Sequence, residues 1–212
     1  MDISGEVSSG LGRAHIFMAQ PHYQKQFKQV LGIGAWPGTL NVDLTGESLV
    51  RFAALRNAAG MESKELDERV RKEAAELDVS YIEAHRIHGF ERDGRSFGGA
   101  TAFLGYIARE DDEQNRLDCA VLIPDLTRHV AVMEVIAAAF LREALDLTDG
   151  DRVIVACSVP ASSSACTAAL ASCGRESGKN SVGVVFIRVS IRTGHNSLSY
   201  QDRPGQLKLR MT

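Results

Sequence analysis

The sequence predicts a mainly β protein with short helices, in which the strands form a barrel. Three observations support this class: short segments alternate apolar with polar residues, glycine and proline turns separate them, and few segments have a helical period. With 212 residues, 44% of them hydrophobic and 24% charged, the chain can bury a substantial core without disulfides or structural metals. These patterns leave the pairing of the strands open.

The N-terminal elements are predicted from turns and from the spacing of apolar residues. Tyr23 and Phe27 recur at helical spacing, whereas Leu40 and Val42 alternate with polar residues as in a half-buried strand. The predicted elements are a strand over residues 1–7, a turn at Gly10-Leu11-Gly12, a returning strand over 15–19, a helix over 21–31 and a strand that follows the Pro37-Gly38 turn.

Residues 46–85 form a predicted helical insertion in the barrel. Two helical stretches are expected within residues 46–78, and the second, over 63–77, is dense in charged residues. Leu66, Val70 and Ala74 lie on one face of that stretch, which is typical of a solvated amphipathic helix that covers one side of a core.

We expect the barrel domain to end at residue 157. Strand patterns and turns predict its remaining elements. Asp93-Gly94 predicts a hairpin, because a type I′ turn needs positive φ at both central residues. The other predicted elements are strands over 79–86, 100–108, 117–123 and 152–157, a charged loop over 109–116, a short helix over 140–145 and a turn at Asp149-Gly150.

Residues 158–212 are predicted to be a C-terminal extension of unknown role. Residues 158–183 are rich in Ser, Ala, Cys and Gly and are typical of a loop or linker, residues 184–191 could form one more strand, and a polar tail follows. The composition fits either a lineage-specific extension or the product of a frameshift at the end of the gene.

Charge and cysteine content exclude several classes of protein. The net charge of −3 argues against a general nucleic-acid binder, and the four cysteines include no C-x-x-C pair of a zinc ribbon or redox protein. We expect Cys119 and Cys157 to be buried core thiols. No apolar run approaches the length of a membrane span and no secretion signal opens the chain, so we expect a cytoplasmic monomer without membrane or nucleic-acid partners.

Two short segments could bind a phosphate and its metal ion. A turn such as Gly10-Leu11-Gly12 lets backbone N–H groups approach a phosphate, and Arg13 adds charge, although a bare turn would look the same. Thr39 and Asn41 are two apart on a predicted strand, so they share one face while Leu40 points into the core. A hydroxyl and an amide oxygen are ligands that Mg²⁺ accepts, and the alternative is an ordinary polar strand face.

A third candidate segment runs from Thr127 to Asp151. Thr127, His129, Glu134 and Arg142 are polar residues in an otherwise apolar stretch. Taken separately, each has a routine explanation as a helix cap, a surface charge or part of a turn.

In order and spacing, these segments resemble the archaeal CTP-dependent riboflavin kinases. The resemblance covers about residues 1–45 and 86–157. The matching segments are Gly5 to Gly12, Tyr23 with Phe27, Leu31-Gly32, Pro37 to Val42, Phe97-Gly98-Gly99, Pro124 with Thr127 and His129, Glu134 to Ala137, Leu141-Arg142, and Leu147 with Asp149-Gly150-Asp151.

The resemblance implies a six-stranded cradle-loop barrel that transfers a phosphoryl group from CTP to riboflavin and releases CDP and FMN. By position, it implies that the CTP phosphates bind at Gly10, Leu11, Gly12, Arg13, Ala14 and His15. The cytosine end of the nucleotide is expected at Ala139, Phe140, Leu141 and Arg142. The flavin is expected at Thr127 and Glu134, and a single Mg²⁺ ion at Thr39 and Asn41.

Glu134 is the residue to which we assign the catalytic role. Our hypothesis is that its carboxylate orients the ribityl hydroxyl of riboflavin and accepts its proton. Two alternatives remain at this point: a barrel that binds flavin or nucleotide without transferring phosphate, and a transcription-regulator module, since barrels of this kind also occur in DNA-binding proteins.

Overall fold

The computed structural model describes residues 1–127 and 129–157, and within these ranges the chain forms nine strands and five helices. In chain order they are β1 (Asp2–Ser8), α1 (Ala14–Met18), α2 (Pro21–Leu31), β2 (Leu40–Asp43), α3 (Gly46–Ala58), α4 (Glu68–Glu76), β3 (Ala84–Ile87), β4 (Phe90–Arg92), β5 (Arg95–Phe97), β6 (Ala100–Arg109), β7 (Asp112–Pro124), β8 (Val132–Ala137), α5 (Leu141–Ala144) and β9 (Arg152–Cys157).

Six of these strands close an antiparallel barrel, as predicted. The order around the barrel is β1-β2-β8-β7-β6-β9, and β9 pairs with β1 to complete the circle. One edge of β6 is shared, because residues 100–103 pair with β3 and residues 105–109 pair with β9. Gly105 permits this change of partner, since a Cβ there would collide with the carbonyl oxygen of Ala156.

The interior of the barrel is apolar because alternate residues of each strand point inward. Leu40 and Val42 of β2, Val121 of β7, Val135 of β8 and Val155 of β9 are all at most 5% exposed and belong to one cluster. Cys119 and Cys157 lie in the same cluster as free, buried thiols, which confirms the prediction.

Helices α1 and α2 cover the outer face of β6, β7 and β8. Met18, Tyr23 and Phe27 form a second cluster with small and aliphatic residues on that face, among them Ala120 and Ile136. Pro21 opens α2 and Gly32, with φ of 75°, ends it. The two helices thereby hold the chain that precedes β2 against the outside of the barrel.

The two helices predicted in residues 46–78 are confirmed, and they form a layer with its own small apolar cluster. The second helix is shorter than predicted. It begins at Glu68 because the Asp67 carboxylate accepts a hydrogen bond from the backbone N–H of Arg69 and caps the helix.

Arg56 of α3 is a charged residue inside this part of the molecule. Its side chain is 2% exposed, and its Nε–H donates to Ser63 Oγ at 2.8 Å. Nη1 has no hydrogen-bond partner among the described residues. Burial lowers the pKa of Arg56, because an apolar environment disfavours its charged form.

Two predictions of local structure are wrong. Residues 15–18 belong to the helix α1 and Ala19 is its C-cap, because helical spacing lets Ala14 and Met18 pack together on the outer cluster. Residues 109–116 are mostly strand: β6 and β7 continue as a hairpin with a turn at Glu110-Asp111. The charged residues of this segment favoured a loop in the prediction, but this end of the hairpin extends into solvent, where charged strand residues are tolerated.

The other elements agree more closely with expectation. The helix over 21–31 and the last strand have the predicted bounds, and Asp93 and Gly94 have the positive φ values of the predicted hairpin turn. Of the strand predicted over 79–86, only residues 84–86 are extended, as part of β3, and β8 was not predicted. The expected strand over 184–191 lies outside the described residues, and the division at residue 157 stays a prediction.

Candidate active site

Two polar side chains meet on the outer face of the barrel, where β2 lies beside β8. Asn41 lies directly opposite Glu134 in the antiparallel register. Such opposed residues point to the same face, with Cβ atoms about 4.5–5.5 Å apart. Leu40 and Val135, which adjoin them along the strands, belong to the barrel core. The expectation that Leu40 points inward and Asn41 away from the core is therefore confirmed.

Thr39 extends this polar site by one more oxygen. Its hydroxyl donates to Asn41 Oδ1 at 3.4 Å, so the two oxygens lie side by side and both side chains are half-buried. Adjacent ligands of an octahedral Mg²⁺ ion lie about 3 Å apart, because each bond measures about 2.1 Å. The pair therefore fits as two of the six ligands of Mg²⁺, with waters and phosphate oxygens as the natural remainder.

The described residues contain no group of three or more His, Cys, Asp or Glu side chains that could hold a metal ion alone. A transition-metal site built from protein ligands is therefore not found in this part of the chain. A hard cation that keeps several waters and shares substrate oxygens requires fewer protein ligands. This requirement matches the pair Thr39 and Asn41.

Glu134 sits in an environment that favours its neutral form. Removal of the carboxyl group from water raises its pKa above the ordinary range, and the positive field of His129 opposes this effect. A carboxylate with a raised pKa is a stronger base near neutral pH than an exposed one. Glu134 is thus equipped to accept a proton from a hydroxyl group that comes within hydrogen-bond distance.

The loop between β1 and α1 passes directly over Asn41. A Cβ at Gly10 would collide with the amide nitrogen of Asn41, so only glycine allows this approach. Gly12 has φ of 65°, in the left-handed region that favours glycine. The Nδ1–H of His15 donates to the carbonyl oxygen of Gly12 at 2.8 Å and holds the loop to the start of α1. The backbone of Gly10 thereby lies against the Asn41 amide, and the exposed Arg13 follows in the same loop.

Arg142 supports the other end of this loop. Its Nη2 group donates to the Ser8 carbonyl oxygen at 3.0 Å, to Ser9 Oγ at 3.4 Å and to the Asp149 carboxylate at 2.6 Å. The guanidinium thus links α5, the end of β1 and the turn before β9. A hydrogen bond from the Ser9 side chain, and after it the bond from Arg142, lowers the pKa of Asp149, since both stabilise its charged form.

A shallow cleft adjoins Thr39, and its lining includes two exposed aromatic side chains that the sequence analysis did not connect. Trp36 and Phe140 stack with ring centroids 5.3 Å apart and an interplanar angle of 28°. The lining also includes Gly38, Thr39, Ala139 and Leu141. Trp36 is fixed beside β8 because its backbone N–H donates to the Ala137 carbonyl oxygen at 2.8 Å. Sequence signals could not show that residues about a hundred positions apart would meet here.

Thr127 lies in the connection between β7 and β8, where its hydroxyl accepts a hydrogen bond from the backbone N–H of His129 at 3.3 Å. The preceding residue, Leu126, is 74% exposed and packs on Gly98. Phe97 lies on the same surface. Its ring packs edge to face against that of the half-exposed Phe17 of α1, with ring centroids 6.2 Å apart. An apolar surface therefore runs from Thr127 to α1, the helix that follows the loop over Asn41.

The structure brings most of the sequence-predicted site residues together, with a few distinctions. Leu11 is 84% exposed at the tip of its loop, whereas Ala14 packs against the outer apolar cluster. Leu141 is 4% exposed, so its side chain belongs to the core, although it also lines the aromatic cleft. For Ala14 and Leu141, the backbone is therefore the part available to a ligand, whereas the side chain of Leu11 is open to solvent.

The fold is a closed antiparallel barrel, and its outer face carries a glycine loop, the oxygen pair of Thr39 and Asn41, and the half-buried carboxylate of Glu134. The family model CTP-dep_RFKase, described as Domain of unknown function DUF120, matches residues 7–79 and 65–157 of the chain. The chain belongs to this family.

Curated relatives agree with this assignment. Over 156 residues the chain is 31% identical to a protein named riboflavin kinase from Haloquadratum walsbyi, which covers 73% of this chain and 56% of the relative. The chain is 32% identical to a protein named riboflavin kinase from Thermoplasma acidophilum, over 72% of this chain and 56% of the relative. It is 35% identical to one from Methanoculleus marisnigri, over 72% of this chain and 55% of the relative. The chain thus spans just over half the length of the curated relatives it matches.

Among the described residues, no helix is both long enough and apolar enough to cross a membrane.

Proposed function

We propose that this protein is a CTP-dependent riboflavin kinase, which transfers the terminal phosphoryl group of CTP to the ribityl 5′-hydroxyl of riboflavin. One observation supports this proposal above the others: Asn41 and Glu134 are paired on one face of the barrel, and the Gly10 loop lies against Asn41. The residues that we propose as metal ligand, base and phosphate loop therefore lie close together. Membership of the family and the names of the relatives support the same reaction.

Phosphoryl transfer depends on positioning and on neutralising charge more than on covalent participation of the protein. Thr39 and Asn41 would hold one Mg²⁺ ion, which neutralises charge on the phosphate oxygens of the donor when it is bound. Backbone N–H groups of residues 10–12 and the guanidinium of Arg13 face the remaining phosphate charge. Arg142 keeps the loop in place through Ser8 and Ser9.

The acceptor hydroxyl is proposed to bind at Glu134. The carboxylate orients this hydroxyl and accepts its proton as the oxygen attacks phosphorus, and the raised pKa of Glu134 makes it a better base for the purpose. The flavin ring would lie on the apolar surface of Leu126, Phe97 and Phe17, beside Thr127. Such a surface suits a flat tricyclic ring, which needs broad apolar contact.

The reaction itself is the direct test. The purified protein is incubated with riboflavin, Mg²⁺ and either CTP or ATP, and the flavins are separated by chromatography. We expect FMN with CTP and much less FMN with ATP. Formation of FMN with ATP alone would retain the kinase and reject the choice of donor.

A folded protein that forms no FMN with any nucleotide would contradict the proposal. Binding of riboflavin or CTP measured by calorimetry would then show whether the protein is a flavin or nucleotide binder without transferase activity. A gel-shift assay with DNA tests the remaining alternative, a transcription-regulator module, for which we expect no shift.

A further inference from the structure

Arg86 and Asp125 form an ion pair where β3 approaches the end of β7, beside the connection that carries Thr127. The guanidinium donates one hydrogen bond to each carboxylate oxygen, and Nη1 lies 2.6 Å from Oδ1. This two-point contact fixes orientation as well as distance, because the planar fork of arginine matches the two oxygens of a carboxylate. The hydrogen bond from Arg86 lowers the pKa of Asp125, so the carboxylate stays charged near neutral pH.

The pair joins parts of the chain that the barrel itself does not connect. Arg86 lies on β3, which pairs with β6 outside the closed circle of six strands. Thr101 of β6 lies opposite Arg86 on one side and opposite Ile123 of β7 on the other. The side chain of Arg86 therefore reaches past β6 to bind the residue that follows β7.

A contribution to stability does not account for such a contact. The side chains of Arg86 and Asp125 are 45% and 30% exposed. Ion pairs exposed to this degree contribute little to the free energy of unfolding, because water screens the charges. Their effect on the position of nearby groups is a separate matter, since the two-point geometry restricts where the carboxylate can lie.

Gly99 leaves the space for this contact. A Cβ at Gly99 would lie 2.6 Å from Arg86 Nη2 and 2.9 Å from Asp125 Oδ2, so the ion pair packs directly on bare backbone. The Gly99 carbonyl oxygen accepts a hydrogen bond from the Asp125 N–H at 2.9 Å, and the preceding carbonyl, of Gly98, accepts one from the Tyr23 hydroxyl at 2.6 Å. Asp125 is thus held through both its side chain and its backbone.

Asp125 is the second residue of a turn that directs Thr127. The Thr127 N–H donates to the Pro124 carbonyl oxygen at 3.2 Å and closes a four-residue turn. Asp125 therefore lies inside the turn, two residues before Thr127. A change in the position of Asp125 changes the position of Thr127 directly.

We propose that Arg86 and Asp125 are positioning residues for the acceptor site, because the pair fixes the turn and thereby sets where Thr127 meets riboflavin. This inference rests on the proposed function, and it adds two residues that act through Thr127 rather than through contact with the substrate. The Thr127 hydroxyl accepts a hydrogen bond from the His129 N–H, and a hydroxyl can donate to a ligand at the same time. The direction in which it donates depends on the turn.

The expected kinetic effect is confined to riboflavin. Glu134 lies on β8, which is hydrogen-bonded to β2 on one side and to β7 on the other, so loss of the ion pair should leave the proposed base in place. A contact that stabilises bound substrate and transition state equally changes KM and leaves kcat unaltered. We therefore expect a higher KM for riboflavin, with the same kcat at saturating riboflavin and the same KM for CTP.

Asp125→Ala and Arg86→Ala each break the pair. We expect either variant to raise the KM and the Kd for riboflavin about threefold to tenfold, which is the effect of one lost hydrogen bond. The double variant should be no worse than either single variant, because the two side chains act as one unit. Fluorescence anisotropy of riboflavin measures the Kd, and urea denaturation of the same proteins measures stability separately.

Glu110→Ala is the matched control. It breaks a pair of the same kind, between Glu110 and Arg152, whose side chains are 39% and 51% exposed. Glu110 lies at the turn between β6 and β7, at the opposite end of their ladder from Asp125. We expect this variant to bind riboflavin as the unaltered protein does.

Two results would overturn the inference and leave the proposed function intact. One is an unchanged KM for riboflavin in Asp125→Ala, whether or not the variant loses stability. The other is an equal rise in Glu110→Ala, because loss of any such pair, and not the turn before Thr127, would then be responsible. An unaltered protein that neither binds riboflavin nor forms FMN would contradict the proposed function, and this inference with it.

Discussion

Asn41 and Glu134, which are 93 positions apart in the sequence, lie directly opposite each other on antiparallel strands, and both point to the outer face of the barrel. The strand alternation that turns these two residues outward turns Leu40 and Val135 into the core. The amide of the proposed metal ligand and the carboxylate of the proposed base are thus fixed relative to each other by the hydrogen bonds of a sheet. Such a rigid support is what a reaction that depends on positioning requires.

Removal of the Asn41 side chain should reduce turnover more than it reduces stability. Asn41→Ala takes away one proposed Mg²⁺ ligand from a half-buried surface position, and we expect the rate of FMN formation to fall by about tenfold or more at fixed Mg²⁺. The measurement is the rate as a function of Mg²⁺ concentration, which should shift to higher values. Asp43→Asn, an exposed position two residues further on the same strand, is the matched control. An unchanged Mg²⁺ dependence in Asn41→Ala would contradict the ligand assignment.

Substitution of Gly10 should displace the loop from Asn41. In Gly10→Ala the added Cβ would collide with the Asn41 amide, and relief of such overpacking costs about 1–3 kcal/mol. We expect CTP affinity, measured by calorimetry, to fall about fivefold or more. Gly34→Ala serves as the control, because its Cβ would approach only the end of the Gln24 side chain. Equal CTP affinity in Gly10→Ala and the unaltered protein would show that this loop does not contact the nucleotide.

Glu134→Gln should lose most of the activity and change how the rate depends on pH. Because burial raises the pKa of Glu134, the rate of the unaltered protein should rise with pH to a midpoint above the ordinary carboxyl value. The glutamine variant has no titrating group at this position, so its residual rate should lack that rise. Full turnover in Glu134→Gln would remove Glu134 as the base, although not as a binding residue.

The same substitution should alter stability in a pH-dependent manner. A raised pKa in the folded state means that the folded protein binds the proton more tightly than the unfolded chain does. The stability from this group is therefore complete below the unfolded pKa, about 4.3, and is lost as the pH rises through the folded value. We expect the free energy of unfolding of Glu134→Gln, relative to the unaltered protein, to increase as the pH rises from 4 toward neutrality. Urea titrations at several pH values measure this difference, and a constant difference would contradict the raised pKa.

Arg56 and Ser63 should respond in opposite directions to substitution. Ser63→Ala removes the hydroxyl that pairs with Arg56 Nε and leaves a further buried donor without a partner, so we expect a loss of about 1–3 kcal/mol. Arg56→Met replaces the buried cation with an apolar side chain of similar length, which is often neutral or stabilising. Urea denaturation of both variants provides the test. A large loss of stability in Arg56→Met would show that the guanidinium contributes through its contact with Phe52, whose ring centroid lies 6.0 Å away.

Local patterns predicted the parts of the fold that depend on near neighbours. The alternation that follows Pro37-Gly38 was sufficient to place Thr39 and Asn41 on one face, because a strand has a period of two. Helix α2 was predicted with its correct bounds because Pro21 and Gly32 mark its ends. Residues 15–19 were assigned to a strand because three successive apolar residues, Ile16 to Met18, fit either period over so short a length.

The rest of the site depends on contacts between distant parts of the chain. That Glu134 faces Asn41 follows from the register of β2 and β8, and the stacking of Trp36 on Phe140 follows from the approach of β8 to the segment before β2. No local propensity encodes either contact, since register is fixed by the burial of whole strand faces. The resemblance to a known family supplied the assignment of Glu134 and Phe140, while Trp36 became apparent only in the structure.

The two-residue period of β2 links correct folding to function. If β2 shifted by one residue against its neighbours, the amide of Asn41 would enter the apolar interior and Leu40 or Val42 would face the phosphate loop. Such a molecule would lose both its core and its proposed metal ligand in the same step. Any activity that requires Asn41 and Glu134 is therefore a measure of how many molecules in a preparation have reached the native register, and specific activity can serve as an assay for correct folding.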